Sequence, residues 1–441
     1  MALLEEVFGV SARPVLSYVE RPEVDERFLE ALVSDKEVIV YGSSKQGKTA
    51  LVSKHLPYDQ NILVSLTPRT TVLDMYQIIL GKAGVRLNVG IVDRKSTETS
   101  VGVSSRFKAM LPLFGSGEAG VSGDLKAGSG AEEKYEEVPI NLELPQHVAD
   151  LLGRVRSNKW IILENFHYLN DETQKQFAFD LRAFQELGVR FVILGVWREK
   201  NRMAQFNGDL LDRIFETPVE PWTEADFRRV VEKGSAELNI EVDRGLVDST
   251  IQSSFSSIGV FQELLKGICS ESHVTSTVRD TRRIDDPGTL TRAVANKAND
   301  YAARHQRALE AIAAGHASGG AKGDLPPLYL PYYLVRVLLE GGYDSIANGM
   351  RRSDLHDRIR AIHHRGDDVR GSDMSNLLGG LANLQAAKSI SPPIIDYDAQ
   401  SRLLQVVDST FYFFIRNANL VEILDLIPNP LTERPGTWVT D

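Results

Sequence analysis

The sequence predicts an α/β fold, in which a parallel sheet covered by helices is followed by two smaller, mostly helical units. Three observations support this prediction. Short apolar runs alternate with helical patterns through the first half of the chain, and a glycine-containing loop joins one run to a helix at residues 42–49. Beyond about Glu220 the helical patterns dominate. Because parallel strands need long crossover connections, this alternation favours a sheet with helices on both faces.

Length and composition set the limits of this prediction. A chain of 441 residues with 42% hydrophobic and 25% charged residues is typical of a globular protein of two or three domains. The net charge of −10 excludes a protein that coats nucleic acid with its whole surface. The single Cys269, the acidic start at Glu5 and Glu6, and the lack of a long apolar run predict a cytoplasmic protein without a membrane span.

The first unit is predicted to cover residues 1–219. Its strands are expected at Glu37–Tyr41, Ile62–Val64, Trp160–Leu163 and Phe191–Leu194, with helices at about 70–83, 146–157 and 171–187 and one more before the first strand. The interval of about 93–137 is rich in Gly, Ser, Lys and Glu. Such a composition predicts a mobile insertion or a loose hairpin, either simply tolerated at the surface or used as a contact with a partner.

Two further units follow the first. Residues 220–315 are predicted to form a helical lid, with helices at Phe227–Leu238, Arg244–Ser253 and Val260–Cys269. Residues 325–430 are predicted to contain helices at Pro331–Glu340, Ser353–His363 and Met374–Lys388, then strands at Ile394–Tyr397 and Leu403–Val407. Three short helices followed by a β-hairpin predict a winged-helix domain.

The loop between the first strand and the following helix reads Gly42-Ser43-Ser44-Lys45-Gln46-Gly47-Lys48-Thr49. Glycines allow such a loop to wrap around phosphates, so that its N–H groups and the helix N-terminus face the anion. Lys48 would then reach the β- and γ-phosphates, and the hydroxyl of Thr49 would bind Mg²⁺. The pattern therefore predicts a P-loop that binds ATP together with Mg²⁺.

A P-loop ATPase also needs an acid at the end of a neighbouring strand. Glu164 follows Trp160–Leu163 and would share the metal with Thr49. Asn165 stands where many such enzymes carry a second acid, and an amide can hold a water molecule but cannot accept its proton. We therefore predict slow hydrolysis. The alternative is that Glu164 and Asn165 simply end a strand with polar side chains.

Two arginines are candidates for sensing the phosphates. Arg198 follows the last predicted strand, at the sheet edge where ligands bind, and could contact the γ-phosphate. Arg213 could serve as an arginine finger, in the same subunit or towards a neighbouring one. For both residues the alternative is an ordinary surface or salt-bridged arginine.

With these motifs the chain resembles the AAA+ and STAND group of P-loop ATPases, in the layout of origin-recognition-type initiators. The stretch Glu20-Arg21-Pro22 looks like the segment that contacts adenine in these families, and Leu163–Leu169 looks like their Walker B strand. Arg198 resembles their sensor residue by position. The resemblance implies ATP as cofactor and a contact from Arg21 and Pro22 to the base. The pair Glu164-Asn165 departs from the usual two acids.

The predicted third helix of the winged-helix domain carries one terminal cation, Lys388, and its apolar row belongs to the core. Arginines before it are offset by aspartates, which favours a solvated surface over a protein contact or a DNA contact. The leading hypothesis is a slowly hydrolysing ATP switch that signals to a protein partner; the resemblance implies prokaryotic signalling or anti-phage defence. The alternatives are a DNA-bound initiator or transposition-type regulator and a nucleotide-stabilised scaffold. A homo-oligomer stays open.

Overall fold

The fold is taken from a computed structural model that describes residues 1–11, 13–89, 106–112, 135–315 and 325–432. The strands in this part of the chain are β1 (Glu37–Gly42), β2 (Ile62–Ser65), β3 (Arg86–Val89), β4 (Arg106–Pro112), β5 (Tyr135–Asn141), β6 (Ile161–Glu164), β7 (Phe191–Val196), β8 (Ile214–Pro218), β9 (Ile240–Val242), β10 (Arg282–Ile284), β11 (Met350–Arg351), β12 (Ile395–Asp398) and β13 (Leu403–Val406).

The helices of the first unit and the lid are α1 (Leu4–Val7), α2 (Pro22–Val33), α3 (Lys48–His55), α4 (Val72–Lys82), α5 (Pro145–Arg154), α6 (Asp171–Glu186), α7 (Arg202–Phe206), α8 (Glu224–Leu238), α9 (Arg244–Ser253), α10 (Ile258–Glu271) and α11 (Pro287–Ala314). The C-terminal unit contains α12 (Leu330–Ile346), α13 (Arg352–Ile362), α14 (Gly371–Gly379), α15 (Leu381–Ala387), α16 (Ser409–Asn417) and α17 (Leu420–Leu426).

Five parallel strands form the central sheet, in the order β2-β6-β7-β1-β8. Every residue of β1 and β7 is buried, as expected for strands that helices cover on both faces. One apolar core packs α4, α5 and α6 against one face, and a second packs α2 and α3 against the other. The predicted α/β class and its four strands are confirmed, whereas the edge strand β8 was not predicted.

The first unit also contains a separate three-stranded antiparallel sheet, in the order β3-β4-β5. It contains part of the interval 93–137, which we predicted to be a mobile insertion or a loose hairpin. In the described part of that interval, β4 pairs with both β3 and β5 in antiparallel fashion. The remainder of the interval lies outside the described residues.

The lid is not wholly helical, because β9 and β10 form a short parallel pair between its helices. In the C-terminal unit, β11, β13 and β12 form a small antiparallel sheet beside α12 to α15. The single helix predicted at Met374–Lys388 is instead two helices, α14 and α15, which meet at Gly379 and Gly380. The winged-helix assignment and the domain boundaries stay predictions. None of the helices in the described ranges is both long and apolar enough to cross a membrane.

Candidate functional site

The loop between β1 and α3 has the backbone geometry that an anion site needs. Lys45 and Gly47 adopt positive φ angles of 57° and 87°, which reverse the chain twice before α3 begins at Lys48. Gly42 lies so close to the residues that follow β8 that a Cβ atom would come within 2.8 Å of Val219 Cγ2 and 3.0 Å of Glu220 Oε2. Only glycine fits at this position. The segment predicted to be a P-loop is therefore a turn between a buried strand and a helix N-terminus, which is the geometry that such a loop requires.

Lys48 is buried at the centre of this loop. Its Nζ donates hydrogen bonds to the carbonyl oxygens of Gly42 at 2.9 Å and Ser43 at 2.6 Å. Burial lowers the pKa of Lys48 to about 8, although the nearby Glu220 carboxylate opposes this shift. A buried cation without a full counter-charge beside it is well placed to bind an anion.

Glu164 ends β6 next to the start of α3. The hydroxyl of Thr49 donates to Glu164 Oε1 at 3.2 Å, and the hydroxyl of Tyr58 donates to the same oxygen at 2.7 Å. A threonine hydroxyl and a carboxylate are oxygen ligands of the kind that Mg²⁺ prefers. The two predicted metal residues therefore lie together and suit Mg²⁺. Tyr58 was not predicted, because nothing in its local sequence marks it.

Asn165 directly follows this acid. Its φ angle of 62° places it in the left-handed region, from which a short 3-10 helix, Phe166–Tyr168, begins. Asparagine tolerates this conformation better than most residues. The predicted role of Asn165 as a water-holding residue that accepts no proton is compatible with its place, and it stays a prediction.

A cavity of about 540 Å³ opens beside the loop. This volume lies in the range of cavities that hold small ligands and cofactors. Its lining includes loop residues 45–50 with Tyr58 and Glu164, and also Tyr18, Val19, Val230 and Trp222. Lid residues Ile258, Gly259 and Gln262 also line the cavity, together with Leu63 and the N-terminal residues Gly9, Val10, Ser11, Arg13 and Val15. Groups that suit phosphates and apolar or aromatic side chains that suit a base thus line one cavity.

Arg21 and Pro22, the predicted base contacts, do not themselves line this cavity. The Arg21 guanidinium lies 3.7 Å from the ring centroid of Trp222 and donates to the Val219 carbonyl at 3.0 Å. Trp222 Nε1 in turn donates to the Gln46 carbonyl at 3.3 Å. Arg21 therefore supports a cavity residue rather than reaching the cavity, and Trp222 is a site residue that the sequence analysis missed.

Arg198 lies at the beginning of the loop. Its Nε donates to Ser43 Oγ at 2.7 Å, its Nη2 lies 3.4 Å from Glu220 Oε1, and its guanidinium is 5.8 Å from the ring centroid of Tyr412 in α16. Glu220 also accepts hydrogen bonds from Ser43 N at 2.6 Å and Gln46 Nε2 at 3.1 Å. Arg198 thus links the loop to the C-terminal unit.

Arg213 immediately precedes β8, so it lies at the N-terminal ends of the parallel strands, opposite the end at which the loop lies. It donates to Gln185 Oε1 at 2.8 Å and pairs with Glu186 at 3.2 Å. The five residues of β8 span roughly 16 Å between Arg213 and the end of the sheet at which the loop lies. Arg213 is therefore unable to contact the phosphates of its own subunit, and a role towards a neighbouring subunit stays a prediction.

The C-terminal unit contacts the loop directly, which the sequence did not predict. Ser44 N donates to the Val407 carbonyl at 2.8 Å, Ser44 Oγ donates to Asp408 Oδ1 at 2.7 Å, and Ser409 Oγ donates to the Ser44 carbonyl at 2.8 Å. All three polar groups of Ser44 are thus bonded to three consecutive residues. We call this set of contacts the Ser44 clamp.

Asp408 is fully buried within the Ser44 clamp. Burial alone would raise its pKa, but the neighbouring Arg304 guanidinium and the hydrogen bonds to the carboxylate hold the pKa below its usual value. The lid also contacts the loop and the C-terminal unit here. Gly259 N donates to the Lys45 carbonyl at 3.0 Å, and Ser257 Oγ lies 2.9 Å from Ser409 Oγ. Lid and C-terminal unit therefore meet at Ser44 and Lys45.

Helix α15, the second half of the predicted third helix of the winged-helix domain, also faces the first unit. Asn383 Nδ2 in α15 donates to Asp171 Oδ2 at 3.3 Å. Ala382, Gln385 and Ala386 of α15 line a cavity of about 40 Å³ together with first-unit residues that include His167 and Tyr168. In this conformation α15 therefore packs beside the first unit.

Comparisons with known proteins give only remote likenesses. No family model matches the chain, and no curated relative matches it. A Walker-type ATPase of Pyrococcus abyssi is similar over 90% of this chain and 96% of its own length, at 13% identity and a TM-score of 0.46. Orc1 of Aeropyrum pernix, solved in complex with DNA, is similar over 93% of both chains at 13% identity and a TM-score of 0.40. RuvB of Thermotoga maritima, a Holliday junction branch migration motor, covers 86% of this chain and 90% of its own, at 10% identity and a TM-score of 0.36. These likenesses assign no activity to the chain.

Proposed function

We propose that this chain is an ATP-regulated switch of the AAA+ and STAND type, in which nucleotide binding controls the position of the C-terminal unit. The Ser44 clamp supports this proposal most directly. Ser44 belongs to the phosphate-binding loop, and its N–H, hydroxyl and carbonyl are all bonded to residues 407–409. A change in the loop on binding therefore acts on the C-terminal unit without any intermediate element.

The chemistry of binding follows from the site residues. The loop N–H groups and Lys48 hold the phosphates, while Trp222, Tyr18 and Val19 supply the surface for the base. Thr49 and Glu164 would hold Mg²⁺, which neutralises phosphate charge when bound. Asn165 accepts no proton from water, so hydrolysis is slow and the ATP state persists.

Electrostatics give the direction of the switch. The carboxylate of Asp408, which belongs to the C-terminal unit and whose charge Arg304 offsets only in part, accepts a hydrogen bond from Ser44 in the first half of the loop. A triphosphate adds several negative charges beside this carboxylate, so the clamped conformation binds ATP less well than a released one. A ligand shifts an equilibrium only through such a difference in affinity. ATP therefore favours release of the C-terminal unit, and ADP does so less strongly because it carries less charge.

The released C-terminal unit is proposed to contact a protein partner. The AAA+ and STAND resemblance suggests prokaryotic signalling or anti-phage defence as the setting. Among the described residues, α15 of the candidate reading helix faces the first unit, which does not favour the alternative of a DNA-bound initiator. Duplex binding at low salt that falls steeply as salt is added would support that alternative. A scaffold without turnover would bind ATP and never release phosphate.

Small-angle X-ray scattering with a non-hydrolysable ATP analogue, ADP or no nucleotide tests the switch. We expect a larger radius of gyration with the analogue and Mg²⁺ than with ADP. Lys48→Ala should abolish this difference.

Asp408→Asn, which removes the buried charge but keeps the side-chain size, should shift the nucleotide-free protein towards the released form. Asp425→Asn, at an exposed position of α17, is the matched control. Superimposable profiles in all three nucleotide states would refute the proposal.

A further inference from the structure

The first half of the phosphate-binding loop is held by a carboxylate of the protein itself. Oε2 of Glu220 accepts a hydrogen bond from Ser43 N at 2.6 Å, and Oε1 accepts one from Gln46 Nε2 at 3.1 Å. The guanidinium of Arg198 lies 3.4 Å from the same Oε1 and also donates to Ser43 Oγ at 2.7 Å. A backbone N–H, an amide and a guanidinium are groups with which proteins bind oxyanions. Glu220 therefore occupies an anion-binding arrangement at the start of the loop.

The pair of Glu220 and Arg198 is partly shielded from water, since their side chains are 21% and 31% exposed. Its charges are therefore screened less than those of a surface ion pair. Glycine at position 42 permits this close approach, because a Cβ atom there would lie 3.0 Å from Glu220 Oε2. Gln46 extends the arrangement towards the lid, because its Oε1 accepts a hydrogen bond from Ile258 N at 3.4 Å. The carboxylate is thus built into the loop rather than lying free at the surface.

Lys48 brings the third phosphate of ATP close to this carboxylate. Its Nζ is 2.9 Å from the Gly42 carbonyl oxygen, which belongs to the same peptide group as Ser43 N. Because Ser43 N is 2.6 Å from Glu220 Oε2, Nζ and Oε2 are no more than roughly 8 Å apart. The charge of Glu220 acts on Lys48 over this distance and opposes the lowering of its pKa. A phosphate bound to Nζ at the start of the loop is therefore exposed to the same charge.

The two phosphates of ADP lie further from Glu220. Residues 45–49 line the cavity and include the N-terminus of α3, where the α- and β-phosphates bind in a loop of this kind. Ser43 and Glu220 do not line the cavity; they lie at the start of the loop, towards which Lys48 Nζ points. The γ-phosphate is the group that extends from the helix N-terminus towards Nζ. Because the Coulomb energy falls with distance, the repulsion from Glu220 acts on ATP more than on ADP.

We propose that Glu220 determines how strongly the loop selects between ATP and ADP. Its carboxylate repels the γ-phosphate, and it also holds Arg198, which has to leave Glu220 before it can contact that phosphate. With ADP the pair stays intact, whereas with ATP Arg198 exchanges its partner. This exchange reaches the C-terminal unit, because the Arg198 guanidinium also lies 5.8 Å from the ring centroid of Tyr412. The role of Glu220 rests on the proposed function, since ATP is taken as the ligand of the cavity.

Calorimetric titration of the full chain with a non-hydrolysable ATP analogue and with ADP, both with Mg²⁺, tests this role. Glu220→Gln keeps an oxygen for Ser43 N but removes the charge. Affinity for the analogue should rise by at least about tenfold, whereas affinity for ADP should change by less than about threefold. Glu224→Gln is the matched control, because this side chain at the start of α8 is 78% exposed. It should leave both affinities as they are in the parent protein.

A carboxylate that only maintains the shape of the loop gives a different result, because its loss would weaken the binding of both nucleotides. Equal changes for the analogue and ADP, or no change for either, would overturn the role of Glu220. If circular dichroism shows that Glu220→Gln does not fold, Glu220→Ala takes its place with the same expected change in the ratio of affinities. Arg198→Gln tests the exchange of partners: it should lower affinity for the analogue more than affinity for ADP, and equal losses would refute the exchange.

Failure of this role is distinguishable from failure of the proposed function. X-ray scattering reports the movement of the C-terminal unit, whereas the ratio of the two affinities can change whether or not that unit moves. A raised ratio in Glu220→Gln together with superimposable scattering profiles would refute the switch and support the role of Glu220. An unchanged ratio together with distinct profiles would refute the role of Glu220 and leave the switch in place.

Discussion

Tyr58 donates a hydrogen bond of 2.7 Å to Oε1 of Glu164, the oxygen that also accepts a hydrogen bond from Thr49. Burial and the charge of Glu164 raise the pKa of Tyr58 far above its usual value, so the phenol remains a donor at any physiological pH. The acid proposed to hold Mg²⁺ is therefore fixed by two hydroxyls, one in the first turn of α3 and one after its end.

Replacing Tyr58 by Phe should weaken the Mg²⁺-dependent part of nucleotide binding. The lost hydrogen bond to a charged group, partly offset by Thr49, corresponds to about 1.4 kcal/mol or about tenfold in affinity. Calorimetric titration with ATP, with and without Mg²⁺, measures the two affinities. Tyr76→Phe is the matched control, because Tyr76 donates to Asp180 within the core at 2.6 Å. An unchanged ratio of the two affinities in Tyr58→Phe would contradict this role.

The lowered pKa of Lys48 predicts that nucleotide binding takes up a proton at alkaline pH. Burial holds this pKa at about 8 in the empty site, and a phosphate beside Nζ raises it. Below pH 8 the lysine is charged in both states, so affinity is independent of its titration. Above pH 8 affinity should fall by up to about tenfold per pH unit. ATP does not confound this range, because its phosphate ionises near pH 6.

Calorimetry at pH 7 and pH 9, in buffers of different ionisation enthalpy, counts the protons taken up by the complex. The expected uptake is near zero at pH 7 and approaches one proton per ATP at pH 9. Lys48→Arg keeps the charge at both pH values, so whatever affinity it retains should not depend on pH. Equal proton uptake by the parent protein at pH 7 and pH 9 would show that Lys48 does not titrate on binding.

The sequence predicted those parts of the fold that have a strong local signal. The four strands it located are runs of three or more apolar residues, and burial on both faces makes such runs easy to recognise. Strand β8 was missed because Glu216 and Thr217 interrupt it, and because it lies at the edge of the sheet beside β1. Helix α14 was extended into α15 because the apolar row continues past Gly379 and Gly380, where the chain in fact bends.

The residues of the candidate site likewise divide into those that a local sequence motif predicts and those that it does not. Lys48, Thr49 and Glu164 belong to motifs whose chemistry is visible within a few residues, and the structure brings them together. In the Ser44 clamp, Ser44 and Asp408 are 364 positions apart in the chain, so no local sequence pattern predicts their contact. Trp222 was missed for the same reason, because its place in the cavity depends on its contact with Arg21, about two hundred residues earlier in the chain. Contacts of this kind are set by how the units pack, which short motifs do not encode.

Asn165 offers the most direct test of slow hydrolysis. The substitution Asn165→Asp supplies a carboxylate that accepts a proton from water, and aspartate tolerates the left-handed backbone at φ 62° as asparagine does. Proton transfer to a positioned base contributes roughly a hundredfold or more to such reactions. We expect the rate of hydrolysis to rise by at least about tenfold, with ATP affinity unchanged.

Single-turnover release of phosphate measures this rate separately from binding. Asn165→Gly is the control, because glycine keeps the backbone conformation but offers neither an amide nor an acid. It should hydrolyse ATP no faster than the parent protein. If Asn165→Asp folds, binds ATP as the parent does and still gains no rate, the missing acid does not limit hydrolysis. The slow step would then lie in the movement of the lid or the C-terminal unit, and Asp408→Asn should accelerate it instead.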